Sequence, residues 1–258
     1  MNPIVAHIVS WLKSYQEKAV VDGYIIGVSG GVDSALTSTL CALTGSKVIL
    51  LNMPIRQTNA EYERAHEHIQ DLKRRFSNVQ AYEISLTDLF ATFENLMPFE
   101  TKEQPLAMAN SRSRLRMTTL YAIGQANRCL VAGTGNRVED FGVGFFTKYG
   151  DGGVDVSPIA DLTKTEVFQL AESVKVVNSI LTAAPTDGLW EDGRSDEDQI
   201  GATYPELEWA MDYKGNETEL SVREKEVLRI YKAFHLANKH KMEPIPVCLI
   251  PTELKHAN

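Results

Sequence analysis

The chain is 258 residues long, 43% hydrophobic and 23% charged, with 34 acidic against 26 basic side chains and a formal net charge of −8. That length and apolar content suit one large α/β domain or two small ones and exclude wholesale disorder. The acidic balance excludes a nucleic-acid binder that relies on a general basic surface, while leaving room for a local basic pocket.

Pro3 suits a first helical turn, and Ile4, Ile8, Leu12 and Tyr15 follow at helical spacing to about Val20. Asp22-Gly23 turns the chain into an apolar strand at Tyr24-Ile25-Ile26. Leu36, Leu40 and Leu43 mark one face of the next helix, which stops at Thr44-Gly45. Lys47 to Leu51 is nearly continuous apolar sequence, as expected for a strand buried on both faces of a parallel sheet. A charge-rich surface helix is expected from Asn59 to Phe76, a third strand from Val79 to Ile84, and a helix bearing Leu86, Phe90, Phe93 and Met97. Glu100 to Pro105 reads as a polar linker before a long helix, about Leu106 to Ala126, and a buried strand at Arg128 to Ala132.

Gly133 to Gly153 is glycine-rich with little apolar periodicity, so a long binding loop is expected, anchored by Phe141, Phe145, Phe146 and Tyr149. Thr163 and Glu166 form a capping-box pattern that opens a helix to Val174. Pro185 to Asp198 is polar and reads as a mobile lid. Helices are expected at Asp196–Ala202, Pro205–Asp212 and Ser221–Asn238, then an extended tail. The alternation predicts a doubly wound, mostly parallel α/β sheet in a single domain. The N-terminus has no signal-peptide pattern and no apolar run reaches membrane-spanning length. With Cys41, Cys129 and Cys248 far apart and no CxxC, a reduced, soluble, cytoplasmic protein with no membrane partner is expected.

The most informative stretch is Gly27, Val28, Ser29, Gly30, Gly31, Val32, Asp33 and Ser34, between the first strand and the second helix. A helix N-terminus presents unpaired amides and a positive dipole end to an anion, and the glycines let backbone approach it closely. Asp33 would repel phosphate there unless a divalent cation such as Mg²⁺ lies between them. The stretch is neither a Walker A loop nor a dinucleotide fingerprint, since both the Gly-Lys-Ser/Thr ending and the GxGxxG spacing are absent.

Glu139 follows Thr134-Gly135-Asn136-Arg137 after the fourth strand and should face the same crevice as Asp33. Spacing alone leaves it either a solvated loop acid or a second Mg²⁺ carboxylate. Lys148 and Lys164 read either as surface lysines or as phosphate partners. Arg112 and Arg116 share a helix face that Arg114 does not, and the cluster reads as a solvated face or an anion site. His66 and His68, two apart, do not share a metal-binding face and read as surface residues. No Cys or Ser has an evident His and acid beside it, so the chemistry expected is positioning and charge neutralisation in phosphoryl or nucleotidyl transfer.

SGGVDS resembles the pyrophosphate loop of the N-type ATP pyrophosphatases, and GTGNRVEDFGVGFFTKYGDGGVDVSPIADLTKTEV, Gly133 to Val167, resembles the signature region of the NAD synthetases among them. Pro185-Thr186, SDEDQIG at Ser195 to Gly201 with Tyr204, and His240-Lys241 extend the resemblance. It implies a Rossmann-like adenine nucleotide hydrolase fold over residues 1–258, without a glutaminase domain. It also implies an ATP site at Gly27 to Ser34 with Thr134, Lys164 and Thr186, and Mg²⁺ on Asp33 and Glu139. Asp33, Glu139 and Lys164 would be the catalytic set. Deamido-NAD contacts would fall at Arg114, Lys148, Asp155, His240 and Lys241. The family also implies a homodimer. One position departs from the family pattern: Glu208 stands four residues after Tyr204, where Asp is common.

The activity implied is ATP-dependent amidation of deamido-NAD by ammonia through an acyl-adenylate, releasing AMP and pyrophosphate. Amidation of nicotinate mononucleotide is the alternative, ahead of a GMP-synthetase-like role and a non-catalytic adenine-nucleotide sensor.

Overall fold

The computed structural model describes residues 2–185 and 195–255. Four strands, β1 (Gly23–Gly27), β2 (Lys47–Asn52), β3 (Val79–Glu83) and β4 (Cys129–Val131), form one sheet in the order β3-β2-β1-β4. Every pairing is parallel: Ile25 stands opposite Ile49 on one side and Val131 on the other. The chain steps outward from β1 to β2 and β3, then returns to β1's other edge with β4. The crevice between β1 and β4 is therefore the switch point of the sheet, where an open α/β fold leaves room for a ligand.

Both faces are covered, as the near-continuous apolar strands require. Tyr24, Ile26, Val48 and Leu50 point to the face packed by α1 (Pro3–Ala19), α2 (Val32–Leu43), α3 (Asn59–Arg75), α7 (Lys164–Ser173) and α8 (Asn178–Leu181). Their neighbours Ile25, Ile49 and Leu51 point the other way, against Phe90 of α4 (Thr87–Leu96) and Met108, Leu120 and Ile123 of α6 (Pro105–Ala126). Alternation along each strand thus distributes the apolar side chains between two cores. Close contact on the second face depends on Gly124 of α6, where a Cβ would lie 2.9 Å from the Ile25 side chain.

A third core lies beyond the edge of the sheet. Val138 and Val143 of a π-helical segment (Arg137–Val143) pack with Ile200 of α9 (Asp196–Ile200). Tyr204 and Leu207 of α10 (Tyr204–Asp212) and Val227 and Leu228 of α11 (Val222–Met242) complete it.

Three expectations are corrected. Phe99–Lys102, α5, is a helical turn that runs into Glu100 to Pro105, the segment read as a linker. The expected loop after β4 contains the π-helix at its centre, so its middle is regular structure. His68, read as a surface residue, is fully buried, because it shares the inward stripe of α3 with Ala65, Ile69 and Leu72. The expected lid falls largely on residues 186–194, outside the described residues. The tail is extended as far as a short terminal helix, α12 (Thr252–Lys255).

Candidate active site

A cavity of about 780 Å³ opens at the carboxyl ends of β1, β2 and β4, lined there by Gly27, Val28, Met53, Val131, Ala132 and Gly133. The β1–α2 turn forms one wall. Gly30 has φ +88, and a Cβ on it would approach the Glu61 carbonyl oxygen to 2.6 Å, so both backbone and space demand glycine. Gly31 caps α2 without a side-chain hydrogen bond. Ser29 and Ser34 brace the turn: the Ser34 hydroxyl donates to the Gly31 carbonyl, and the Ser29 amide donates to Ser34 Oγ.

Asp33, in the first turn of α2, meets two residues that are remote in sequence. Lys164 Nζ donates to Asp33 Oδ2 at 2.6 Å and to Glu139 Oε1 at 2.9 Å. Lys164 is the first residue of α7, aimed by the Thr163–Glu166 capping box that the sequence predicts. Only 4% of its surface is exposed. Glu139 sits in the first turn of the π-helix, whose N-cap is Asn136. Asn136 Oδ1 accepts from the Val138 and Glu139 amides at 3.1 Å each, while its Nδ2 donates to Asp33 Oδ1 at 3.0 Å. Tyr204 donates its hydroxyl proton to Glu139, and the same oxygen lies 3.1 Å from Asp196 Oδ2.

Two buried carboxylates thus face one buried ammonium. Burial pushes Asp33 above the usual carboxylate range, and repulsion from Glu139 adds to that against the pull of Lys164. Burial acts on Glu139 in the same sense, but Lys164, the Tyr204 hydroxyl and Asn136 outweigh it and hold Glu139 below its ordinary value. Burial alone would lower Lys164; Asp33 and Glu139 reverse that and raise it, so the ammonium is retained. The next residue, Asp140, is pushed well up by burial and by Glu139.

The donor set fits Mg²⁺. Two carboxylates reaching one point supply hard oxygen ligands, and substrate phosphates and water would supply the rest. Among the described residues no cluster of three or more His, Cys, Asp or Glu is placed to hold a metal by itself. In this state Lys164 takes the bridging place between the two acids.

The opposite wall carries the cationic residues expected to meet the second substrate. Arg114 Nε donates to the Lys148 carbonyl, Lys148 Nζ to the His240 carbonyl at 2.7 Å, and Lys241 Nζ to the Phe146 carbonyl at 2.7 Å. Arg114, Lys148, His240 and Lys241 all line the cavity, as does Thr134. Asp155 lies apart from them: it accepts from the Val131 amide and the Tyr121 hydroxyl, beside a separate smaller cleft. Thr186 is outside the described residues.

The arginine cluster divides. Arg116 donates from Nε to the Met53 carbonyl, and burial brings its guanidinium down to about 10. Arg112 lies 5.7 Å from the centre of the Phe90 ring. Asn136 and Tyr204 are the polar partners for which residue pattern alone assigned no role. Asn-x-x-Glu at Asn136 to Glu139 was a readable cap signal. The departure at Glu208 is also structural, since its carboxylate accepts from the amide and hydroxyl of Thr165 at 2.9 Å each and so grips the first turn of α7 beside Lys164.

The fold and cavity define a doubly wound α/β protein whose ligand site lies at the switch point of a parallel sheet. Residues 4–245 match the family described as NAD synthase, and the chain belongs to that family. It is 37% identical over 204 residues to the NH(3)-dependent NAD(+) synthetase of Mesoplasma florum, covering 78% of this chain and 81% of that one. Among solved structures it resembles the NMN synthetase of Francisella tularensis, with a TM-score of 0.83 and 32% identity over 96% of this chain and 97% of that one. The NH3-dependent NAD synthetase of Campylobacter jejuni, at 23% identity, shares the fold with a TM-score of 0.76, covering 95% and 98% of the two chains.

Proposed function

We propose that the protein is a C–N-bond-forming ligase that converts deamido-NAD to NAD with ATP and ammonia. The observation that carries this reading is the convergence of Asp33, Glu139 and Lys164 on one point beside the N-terminus of α2, where the Gly31 cap offers no side-chain hydrogen bond. Membership of the NAD synthase family and the curated NH(3)-dependent relatives support it. A nicotinate carboxylate is a poor electrophile. It attacks the α-phosphorus of ATP and displaces pyrophosphate, and ammonia then attacks the resulting acyl-adenylate to give the amide and AMP.

Bound Mg²⁺ on Asp33 and Glu139 would neutralise charge on the phosphates. The α2 amides and the Ser29 and Ser34 hydroxyls hold the pyrophosphate end, with Thr134 and Thr186 as further ATP contacts. Lys164 exchanges its two carboxylate partners for phosphate oxygen as ATP binds. Arg114, Lys148, His240 and Lys241 hold the dinucleotide, with Asp155 a more distant contact. Free ammonia serves as the nitrogen donor, and the residues form one NAD synthetase domain.

The protein works as a homodimer in the cytoplasm. Support for the dimer comes from Leu89, Leu96, Phe99 and Leu106, which expose large apolar side chains through α4, α5 and α6. Free Cys41, Cys129 and Cys248 suit a reducing compartment. No described helix is long and apolar enough to cross a membrane.

A second reading, amidation of nicotinate mononucleotide, is favoured by the likeness to the Francisella NMN synthetase over nearly the whole chain. One assay separates the two: the purified protein with ATP, Mg²⁺, ammonium and each acid in turn, following AMP and pyrophosphate. Faster turnover of deamido-NAD is expected. Turnover of nicotinate mononucleotide alone would establish the second reading, and tight ATP binding without turnover of either would overturn both.

A further inference from the structure

We propose that Asn136 is a positioning residue that fixes the Asp33 carboxylate relative to Glu139. This rests on the reading of those two acids as the metal pair. The orientation of the Asn136 amide is dictated by its surroundings. Its oxygen accepts from the Val138 and Glu139 amides, so its nitrogen is the atom turned toward Asp33. Asn136 is fully buried, which leaves no water to compete for either end. A single rigid amide therefore ties the first turn of α2 to the first turn of the π-helix across 103 positions of sequence.

The linkage has a geometric consequence. Glu139 is placed by the π-helix, and the π-helix is started by Asn136 Oδ1. Asp33 is held from its other oxygen by Lys164, a partner that must leave when phosphate and metal arrive. Asn136 remains as the permanent protein hydrogen bond on Asp33, keeping one carboxylate oxygen occupied and turning the other toward the shared point. Groups that orient a metal carboxylate in this way typically change metal affinity or activity by about 10- to 100-fold when removed.

Serine caps a helix about as well as asparagine but is too short to reach a distant carboxylate. N136S therefore retains the start of the π-helix and loses the link to Asp33, whereas N136A loses both. N136T repeats the cap-only test should N136S fold poorly. The measurement is Mn²⁺ affinity by electron paramagnetic resonance, with a non-hydrolysable ATP analogue present, beside thermal melts of each variant.

N136S is expected to melt closer to the native protein than N136A does, yet to bind Mn²⁺ about 10- to 100-fold more weakly. That loss should vanish in the D33N background. Native-like Mn²⁺ binding by N136S, while D33N binds poorly, would overturn this inference alone. Native-like binding by D33N would bring down the metal-site reading and the inference with it.

Discussion

Lys164 and Asp33, 131 positions apart, meet at 2.6 Å in a buried ion pair that also takes in Glu139. The ammonium occupies the point on which two carboxylates converge, so it offsets part of their negative charge before any substrate arrives. Removing one acid leaves Lys164 with its other partner. Asp33→Asn and Glu139→Gln should therefore stay folded while losing at least about 100-fold in kcat, the scale on which a single stabiliser of transition-state charge acts. Steady-state AMP formation beside a thermal melt checks this, and near-native turnover in both variants would remove the pair from the chemistry.

Removing the cation has the opposite balance. Lys164→Met leaves two buried acids facing each other without compensation, which costs about 3–5 kcal/mol when a buried pair is broken from one side. A fall in Tm of roughly 6–20 °C follows for a chain of this size. Added Mg²⁺ should recover part of the loss by replacing the missing positive charge. Differential scanning calorimetry with and without Mg²⁺ measures both effects, and a melt unchanged by the substitution would show that the cluster is not under this electrostatic load.

Much of this was legible in the sequence, and the failures have identifiable causes. The strands and the α2 turn were readable because parallel strands buried on both faces leave unbroken apolar runs, and because glycine at Gly30 answers a local backbone demand. The Thr163–Glu166 cap was readable for the same local reason. The π-helix was not, since its seven residues make fewer than two turns and so show no apolar period to detect. The Asp33–Lys164 pairing rests on how the sheet closes, which no spacing encodes. Asp155 illustrates the reverse case: its place in a motif gave no sign that its carboxylate is spent on the Val131 amide and Tyr121.

Tyr204 reaches the same cluster from the third core. Its ring is buried, its hydroxyl donates its one proton to Glu139, and the same oxygen lies 3.1 Å from Asp196 Oδ2. Burial pushes that hydroxyl's pKa up, and the charges of Glu139 and Asp196 add to it, so it stays protonated and serves Glu139 as a donor. Tyr204→Phe keeps the packing and removes the donor. A loss of about 1–2 kcal/mol in stability and roughly 10-fold in kcat/KM is expected, read by denaturant melts and steady-state kinetics. An unchanged kcat/KM would confine Tyr204 to packing.

A separate effect of pH is built into α3. His68 Nε2 lies 2.9 Å from Ser38 Oγ, whose own proton goes to the Ala35 carbonyl at 3.1 Å. The tautomer that fits donates from Nε2 and leaves Nδ1, which has no partner among the described residues, as a bare nitrogen. Protonation would place an N–H there with no acceptor among the described residues, and burial lowers the imidazole to about 4 from its ordinary 6.5. Between those values the unfolded chain binds the extra proton and the folded chain does not. Stability from this group is thus complete above about pH 6.5 and is lost toward pH 4, at up to about 1.4 kcal/mol per pH unit. His68→Gln keeps a donor at the Nε2 position and cannot titrate. Its stability curve, from urea melts at pH 5 to 8, should be lower at neutral pH and flatter on the acid side than that of the native protein. Parallel curves for the two would show that acid sensitivity arises elsewhere.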